Sequence, residues 1–575
     1  MIQKVIYLSA LTLAAASLWQ CQKPAQPEEQ QAAQVLSADS ADSLWYKSGI
    51  IYTLDVEVFQ DSNNDGVGDF NGLTSRLGYI DSLGADILWL SPFQPSPNRD
   101  DGYDVTDYYT IDPRLGTMAD FNNFMEAARK RNIRVIMDLV LNHTSIQHPW
   151  FREGRSQQSP YHAWYVWSKD KPSNYDKGMV FPGVQKEIWS YDSTAKEYYY
   201  HRFYRFQPDL NMQQPTVLAE TRKIIKTWLD RGVSGFRLDA VPFVIEVPAK
   251  EGDAFDHQFE ILTAMRHYVD SLDGDAIILG EANVMPEESK DYFGKQGERM
   301  EMMFNFFVNQ QLFYALASGD AGPLRKALED TQEIPQTAAW GQFLRNHDEV
   351  DLGRLSKRER QKVYDAMGPD KSMQLYDRGI RRRLAPMLHN NRKELELAYS
   401  ALLALPSTPV LRYGDELGMG DDLQLQERLS VRTPMQWSAG KNAGFTNSDL
   451  PVRPIITDSV YGFRKINVRT EQGDTSSLLH WTRTMVQLRK QCPEISFGYW
   501  NLIHTGSAAV VALHYHWETS DLTVLLNFSP YPQKLTLSIN TPLTELRSGQ
   551  AYQPADGKHE LTLQPYQYLW LRSKP

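Results

Sequence analysis

Four apolar runs in this chain end on an acid. Asp138 follows Val-Ile-Met, Asp239 follows Gly-Phe-Arg-Leu, Glu281 follows Ala-Ile-Ile-Leu-Gly, and His347-Asp348 follow Phe-Leu-Arg-Asn. A single acid in such a place is more often a helix cap or a structural ion pair. Four of them, at strand ends that a parallel barrel gathers on one face, point to a catalytic centre. Arg237 and Asp239 are two apart, so on a strand their side chains leave one face while Phe236 and Leu238 leave the other. An arginine beside an aspartate favours the ionised carboxylate that a nucleophile needs. Glu281 ends an apolar run, where burial raises a carboxyl toward the range of a general acid at neutral pH. An ionised and a protonated carboxyl across a cleft, roughly 5 Å apart in the retaining case, is the requirement for glycoside cleavage.

The elements that must position these acids are legible as short apolar runs alternating with helical patterns. The runs are GIIYTLDV, DILWLSP, RVIMDLV, GFRLDAV, AIILGEA, MEMMFNF, GQFLRNHD and PVLRYGDE. Eight strands with intervening helices predict an α/β fold, a (β/α)8 TIM barrel; an open doubly wound sheet is the alternative that periodicity leaves open. One helix opens at Thr117 with Asp120 three residues on, a capping-box pattern, and carries Phe121, Phe124, Met125 and Ala128 on one face. Another carries the pairs Ile224/Trp228 and Ile225/Leu229. After DLVLNHTS, about 75 residues rich in Trp, Tyr, His and Pro interrupt the rhythm, a length of loop that usually has a function. The last 80 or so residues change to period-two runs, VVALHYHW, LTVLLNF, KLTLSI and YLWLRS, which predict a C-terminal antiparallel β-sandwich.

The expected organisation is a lipoprotein-like signal peptide over 1–21, a polar linker over 22–43, the barrel over 44–142 and 217–490, an inserted B domain over 143–216, and the C-terminal β domain over 491–575. The apolar run from Val5 to Leu18 is too short to span a bilayer but suits the core of a signal peptide, and Leu18-Trp19-Gln20-Cys21 resembles a lipoprotein cleavage site. Export to the periplasm or the outer membrane is therefore expected, with any membrane contact made through a lipid anchor on Cys21. Cys21 and Cys492 are the only cysteines among 575 residues, which excludes a disulfide scaffold. A formal net charge of -11 sets the surface against nucleic acid and anionic membranes as partners. Aromatics make up 11% of the chain, enough to fill cores and also to line a cleft with rings for the C–H faces of a sugar.

Asp61, Asn63, Asp65, Val67 and Asp69 space oxygen donors every second residue, with Gly66 at the sixth position, as at the start of a calcium loop. The twelfth position is Gly72 and not Glu, so the loop is not a complete EF-hand, and a run of Asx turns is the plainer reading. His143 and His148, five apart with no acidic partner, do not make a zinc motif.

DLVLNHTS, GFRLDAV, GEAN and FLRNHDE, in that order, resemble the four short blocks of glycoside hydrolase family 13, the α-amylase superfamily. QPDLN at 207–211 looks like a fifth block, found in its oligo-1,6-glucosidase and trehalose synthase branches. WYKSGIIYTLDVEVFQDSNNDGVGDF, RDDGYDVTDY, GTMADF, HPWF, HRFYRFQPDLN, FRLDAVPF and RTPMQW resemble the trehalose synthase branch in particular, and the likeness runs over roughly residues 45 to 575. The resemblance implies Asp239 as nucleophile, Glu281 as acid/base and Asp348 as a third acid gripping the sugar hydroxyls. It implies that Arg237, His143 and His347 line the subsite of the cleaved glucose, that Tyr103 stacks beneath it, and that Asp100 with Arg432 closes the non-reducing end. It implies Ca²⁺ as a structural ion on Asp61, Asn63, Asp65, the Val67 carbonyl and Asp69, a second near Asn142, Asp209, Glu246 and the carbonyls of Phe243 and Val244, and no organic cofactor. The substrate class is a short α-glucoside or maltose-type oligosaccharide. Trehalose synthases are usually without a leader, and ahead of RTPMQW they tend to carry Asp-Arg-Asp-Gly-Val where this chain has Glu427-Arg428-Leu429-Ser430-Val431; VPAKEGD at 247–253 also departs from the branch. With an export leader, hydrolysis of external oligosaccharides is the main expectation. Intramolecular maltose–trehalose isomerisation is its alternative. A sugar-binding lipoprotein without turnover is a third reading, disfavoured because all three acids are present.

Overall fold

Eight short parallel strands close into a barrel: β1 (Ile51–Leu54), β2 (Ile87–Leu90), β3 (Arg134–Leu139), β4 (Gly235–Leu238), β5 (Ile277–Gly280), β6 (Met302–Phe304), β7 (Ala339–Phe343) and β8 (Thr408–Arg412). Each lies beside its neighbour in sequence, and β8 returns to β1 with Ile51 opposite Val410. These are the eight apolar runs, and closure excludes the open sheet. The computed structural model describes residues 42–248 and 256–573, all within one unit, Val35–Pro575. The leader and Cys21 lie outside the described residues. Among the described residues no helix is long and apolar enough to cross a membrane.

Alternation along the strands sorts side chains into two cores. Ile51, Trp89, Ile136, Leu279, Met302 and Phe304 belong to one cluster that fills the barrel. Tyr52, Leu88, Val135, Phe236, Leu238 and Ile278 belong to the larger cluster shared with the helices. The same alternation turns Asp138 and Arg237 to the inside, where the Arg237 guanidinium stands 5.3 Å from the Trp89 ring. Gly235 has φ +150, and a Cβ there would meet the Ile277 carbonyl at 2.4 Å, so only glycine lets β4 start this close to β5.

The helices brace the strands as their patterns predict. Thr117 and Asp120 form a reciprocal capping box on Met118–Arg129, which buries Phe121, Phe124, Met125 and Ala128. Pro215–Leu229 starts with proline in its first turn and buries Ile224, Ile225 and Trp228, with Leu229 half-buried. Each such fully buried side chain contributes about 1.5–3 kcal/mol.

Two excursions leave the C-terminal ends of the strands. Between β3 and Pro215–Leu229 the chain forms a three-stranded antiparallel sheet of Trp167–Ser168, Glu197–Tyr200 and Trp189–Asp192. Between β7 and β8 it forms the helix Lys357–Met367 and a small sheet of Val350–Asp351, Gly379–Ile380 and Gln374–Leu375. The sequence reading singled out the first excursion but not the second. Past the barrel, the longest antiparallel pairing joins Val510–Trp517 to Ser520–Asn527 and then to Tyr568–Ser573. A second sheet of Gln533–Leu537 and His559–Leu563 packs against it through Leu525, Leu535, Leu561 and Leu571, giving the sandwich.

Candidate active site

Asp138, Asp239 and Glu281 meet on one guanidinium. Arg237, wholly buried, places Nη1 2.8 Å from Asp138 Oδ1 and 2.6 Å from Asp239 Oδ1, and Nη2 2.7 Å from Glu281 Oε2. The Asp239 and Glu281 carboxylates are therefore separated by no more than these two contacts and the width of a guanidinium. Asp239 lies one residue beyond β4, and the next residue, Ala240, takes φ +51, a left-handed conformation that a side chain disfavours. The turn brings the Ala240 N–H 3.2 Å from Glu281 Oε2, which accepts it.

Burial dominates the charge state of this group. It pushes Asp239 up to about 6, with the charges of Asp138 and Asp348 adding to it and outweighing the pull of Arg237. It pushes Glu281 up to about 7, with Asp239 and Asp348 adding. Asp138 is likewise raised to about 6, burial outweighing Arg237. Arg237 does pull the Asp239 carboxyl down, as expected of it, but one guanidinium shared by three buried carboxylates does not outweigh burial, and the net shift is upward. The order of the two pKa values, Asp239 below Glu281, is that of a nucleophile and an acid.

Asp348 lies past β7 and lines the same cleft. Burial alone would raise it, but its neighbours outweigh burial and hold it well below the usual carboxylate range. His347 is driven below its ordinary value by burial and is neutral, so the positive charge comes from Arg428 and Arg432. Each places a nitrogen 2.9 Å from Asp348 Oδ1. Tyr103 lies parallel to His347, with ring centroids 5.4 Å apart. Its hydroxyl donates to Asp138 Oδ2 at 2.7 Å and receives the His347 Nε2–H at 2.7 Å, which leaves His347 Nδ1 buried without a partner. His143 is lowered to about 4 by burial, and its neutral ring donates Nε2–H to the Tyr103 carbonyl.

Asp100 lines the cleft, but its ion-pair partner is Arg428 and not the expected Arg432. Arg428 Nη2 is 2.5 Å from Asp100 Oδ1, while Arg432 Nη1 is 2.7 Å from Asp101 Oδ2. The reason is how Arg432 is held. Arg453, paired with Asp101 and Glu57, donates to the Arg432 carbonyl at 2.7 Å, and Arg432 Nε donates to the His347 carbonyl at 2.8 Å, which fixes Arg432 beside Asp101 and leaves Asp100 to Arg428. Sequence reasoning missed Arg428, which stands on the 3-10 turn Glu427–Val431 with Arg432 just past its end, a placement that no helical spacing rule marks. The cleft has a volume of about 540 Å³ and is lined by Asp239, Glu281, Asp348, Asp100 and Arg428, with Phe181 of the first excursion forming part of its wall.

The two expected cation sites differ. In the 61–69 loop, Asp61 accepts the N–H groups of Asn63, Asn64 and Gly66 and the Thr446 hydroxyl. Asn63 and Asp65 accept the N–H groups of Asp65 and Val67 in turn. Asp69 takes Ser62 and caps the helix Phe70–Leu83 through Gly72. Asp61 and Asp69 are buried, and among the described residues none of the three carboxylates has an ion-pair partner. The oxygen set and its uncompensated charge suit a hard cation. Its arrangement is that of a loop closed on its own hydrogen bonds: Asp61 has its lone pairs filled, and no three acid, histidine or cysteine side chains among the described residues gather in metal-holding geometry. At the second place, Asn142, Asp209 and Glu246 do converge and are all buried. Asp209 is pushed well above the carboxylate range by burial, with Glu246 adding, against Arg202 and a hydrogen bond from Asn142. Arg202 lies 3.7 Å from Glu246 and supplies charge there, next to the short helix Val241–Val244 that contains Phe243 and Val244. His148 takes no part in either place; its Nδ1 accepts from Trp150 and caps Pro149–Gly154.

The α-amylase catalytic-domain family model matches residues 51–368 and 377–498. The trehalose synthase of Thermus thermophilus is 40% identical over 548 residues, which cover 93% of this chain and 56% of that protein, so the chain spans little more than half of this relative's length. The oligo-1,6-glucosidase of Parageobacillus thermoglucosidasius is 31% identical over 557 residues, covering 85% of this chain and 91% of that one. Among solved structures, the α-amylase from H. orenii superposes with a TM-score of 0.75 at 27% identity, over 92% of this chain and 100% of that one.

Proposed function

This chain belongs to the α-amylase family, glycoside hydrolase family 13, in the branch of trehalose synthases and oligo-1,6-glucosidases, and we propose that it moves a glucosyl group within maltose by retaining double displacement, releasing trehalose. The observation that carries the retaining chemistry is the single buried guanidinium that holds Asp239 and Glu281 at 2.6 and 2.7 Å, within reach of one anomeric carbon. In this reading Asp239 attacks that carbon as the glycosidic C–O bond breaks, and Glu281 delivers its proton to the departing oxygen. The product is a β-glucosyl ester of Asp239 and a glucose still in the cleft. That glucose then offers its 1-hydroxyl. Glu281 takes the hydroxyl proton as the new C–O bond forms and the Asp239 ester bond breaks, which restores the α configuration. Asp348 stays ionised and grips sugar hydroxyls together with Arg428 and Arg432.

If water attacks the ester instead, the outcome is hydrolysis. The export leader favoured that outcome. The higher identity to a trehalose synthase than to an oligo-1,6-glucosidase supports transfer. The barrier of Arg428 and Asp100 at one end of the cleft supports it too, because transfer to a retained sugar requires water to be kept out. Maltose followed by proton NMR tests the reading: trehalose is the expected main product, and glucose as the sole product would overturn it.

Two further assignments rest on sequence. Export with a lipid on Cys21 is supported by the leader, and palmitate incorporation lost in Cys21→Ala tests it. Ca²⁺ on Asp61, Asn63, Asp65, Val67 and Asp69 is supported by the donor spacing and by three carboxylates without a cationic partner.

A further inference from the structure

The segment Glu427-Arg428-Leu429-Ser430-Val431 builds a joint behind the wall of the cleft. The Glu427 carboxylate accepts two phenol hydrogens on Oε2, from Tyr204 of the β3 excursion at 2.5 Å and from Tyr376 of the β7 excursion at 2.7 Å. Between these tyrosines sits Phe181, whose ring centroid is 4.9 Å from that of Tyr204 and 4.7 Å from that of Tyr376. The Arg428 guanidinium lies 5.0 Å over the same Phe181 ring and reaches on to Asp100 and Asp348. Phe181 and Arg428 line the cleft; Glu427 and the two tyrosines stand behind them. Three non-glycine residues of the joint, Tyr376, Asp377 and Glu427, have φ of +54, +55 and +43. Left-handed backbone of this kind persists only where the surroundings over-determine it. Arg378 adds a further tie, donating to the Val180 carbonyl at 2.7 Å and to Asp351 at 2.8 Å.

We propose that Glu427 is a positioning residue: by tying the two excursions together through Tyr204 and Tyr376 it holds Phe181 and Arg428 as a seal, and the seal decides whether sugar or water receives the glucosyl group. Glu427 touches neither the substrate nor the reacting acids. It acts through Arg428, which without its aromatic seat is free to swing off Asp100 and open the end of the cleft. The inference rests on the transfer reaction proposed above for one of its two readouts.

The test compares Glu427→Ala and the milder Tyr376→Phe with the full-length wild type, thermal unfolding establishing that each is folded. With maltose, E427A raises the share of free glucose among the products roughly tenfold, the size expected when hydrogen bonds to a charged group are lost, and Y376F raises it less. With 4-nitrophenyl α-glucoside, which cannot isomerise, KM rises by a larger factor than kcat falls, because the seal shapes the glucosyl pocket and among the acids reaches only Asp348, not Asp239 or Glu281. Folded variants with the wild-type glucose share and the wild-type KM overturn the proposal. A wild type that makes only glucose from maltose removes the transfer reading, and the nitrophenyl glucoside KM then decides the role of Glu427 alone.

Discussion

The two ends of the cleft solve the same problem of buried charge in opposite ways. At the reacting end one guanidinium, Arg237, serves Asp138, Asp239 and Glu281. Carboxylates outnumber cations, and burial raises all three. At the Asp348 end Arg428 and Arg432 converge on Asp348, each with a second acid, Asp100 or Asp101. Asp348 is held low, while Asp100, with Arg428 as its one ion-pair partner among the described residues, is raised by burial to about 6. Burial with one shared guanidinium keeps Glu281 protonated enough to act as an acid, and two guanidiniums on one oxygen keep Asp348 ionised enough to grip hydroxyls. The same residue types thus acquire different chemistry from the local count of guanidiniums.

Substitution at each end should break the symmetry of that comparison most strongly. Asp239→Asn is expected to lower kcat by at least about 10⁴-fold, since the nucleophile is gone, while stabilising the fold. The sign follows from its raised pKa. Above pH 6 the folded state carries a carboxylate that it holds less well than the unfolded chain does, and a neutral amide removes a cost on the order of 2 kcal/mol. Arg428→Met should lose on both counts: it leaves Asp100 and Asp348 under-compensated, at about 3 kcal/mol in stability, and it opens the cleft. Paired measurements of kcat and of Tm check this. A destabilised, fully active Asp239→Asn would refute the electrostatic account and the assignment of the nucleophile together.

A smaller effect sharpens the account of the reacting end. Catalysis needs Asp239 ionised and Glu281 protonated, so kcat/KM should rise through about pH 6 and fall above about pH 7, a narrow bell whose limbs belong to the coupled pair. Asp138 is one of the charges that raise Asp239. Asp138→Asn should therefore move the acid limb to lower pH by up to about one unit, and the alkaline limb less. A pH profile of kcat/KM with unmoved limbs would mean that burial alone sets Asp239.

Much of this was legible before any coordinates. The strands and the acids at their ends stand out because apolar runs of four to six residues and the placement of an acid after them are local properties. Arg237 and Asp239 share a face because alternation forces it. What was not legible depends on residues far apart meeting. Arg428 and Asp100 are 328 positions apart, and the choice between Arg428 and Arg432 is made by Arg453 and Asp101, which no spacing rule connects. The net direction of the Asp239 shift was not legible because burial, its largest cause, and the charge of Asp138, which arrives from another strand, are set by the fold, while only the pull of Arg237 is local. The Glu427 joint draws on both excursions, and the local signal of the β7 excursion, the capping pair Ser356 and Glu359 and the Val363, Tyr364 and Met367 face of its helix, does not tie it to the first.

The 61–69 loop is a third case of the same electrostatics, with three carboxylates and, among the described residues, no guanidinium paired to them. If the missing charge is Ca²⁺, binding should stabilise the folded state by about 2–3 kcal/mol at a calcium concentration a hundredfold above Kd, and a chelator should lower Tm by a few degrees with kcat per folded molecule unchanged. Asp65→Asn isolates the ion from the hydrogen bonds. Asp65 is exposed and accepts only from Val67 and Asn63, so in chelator the variant should melt within a degree or so of the wild type. With calcium restored the wild type should regain its Tm and the variant should not. Equal Tm for the wild type with and without chelator would leave the loop to its Asx turns, with Asp61 satisfied by four donors of the chain itself.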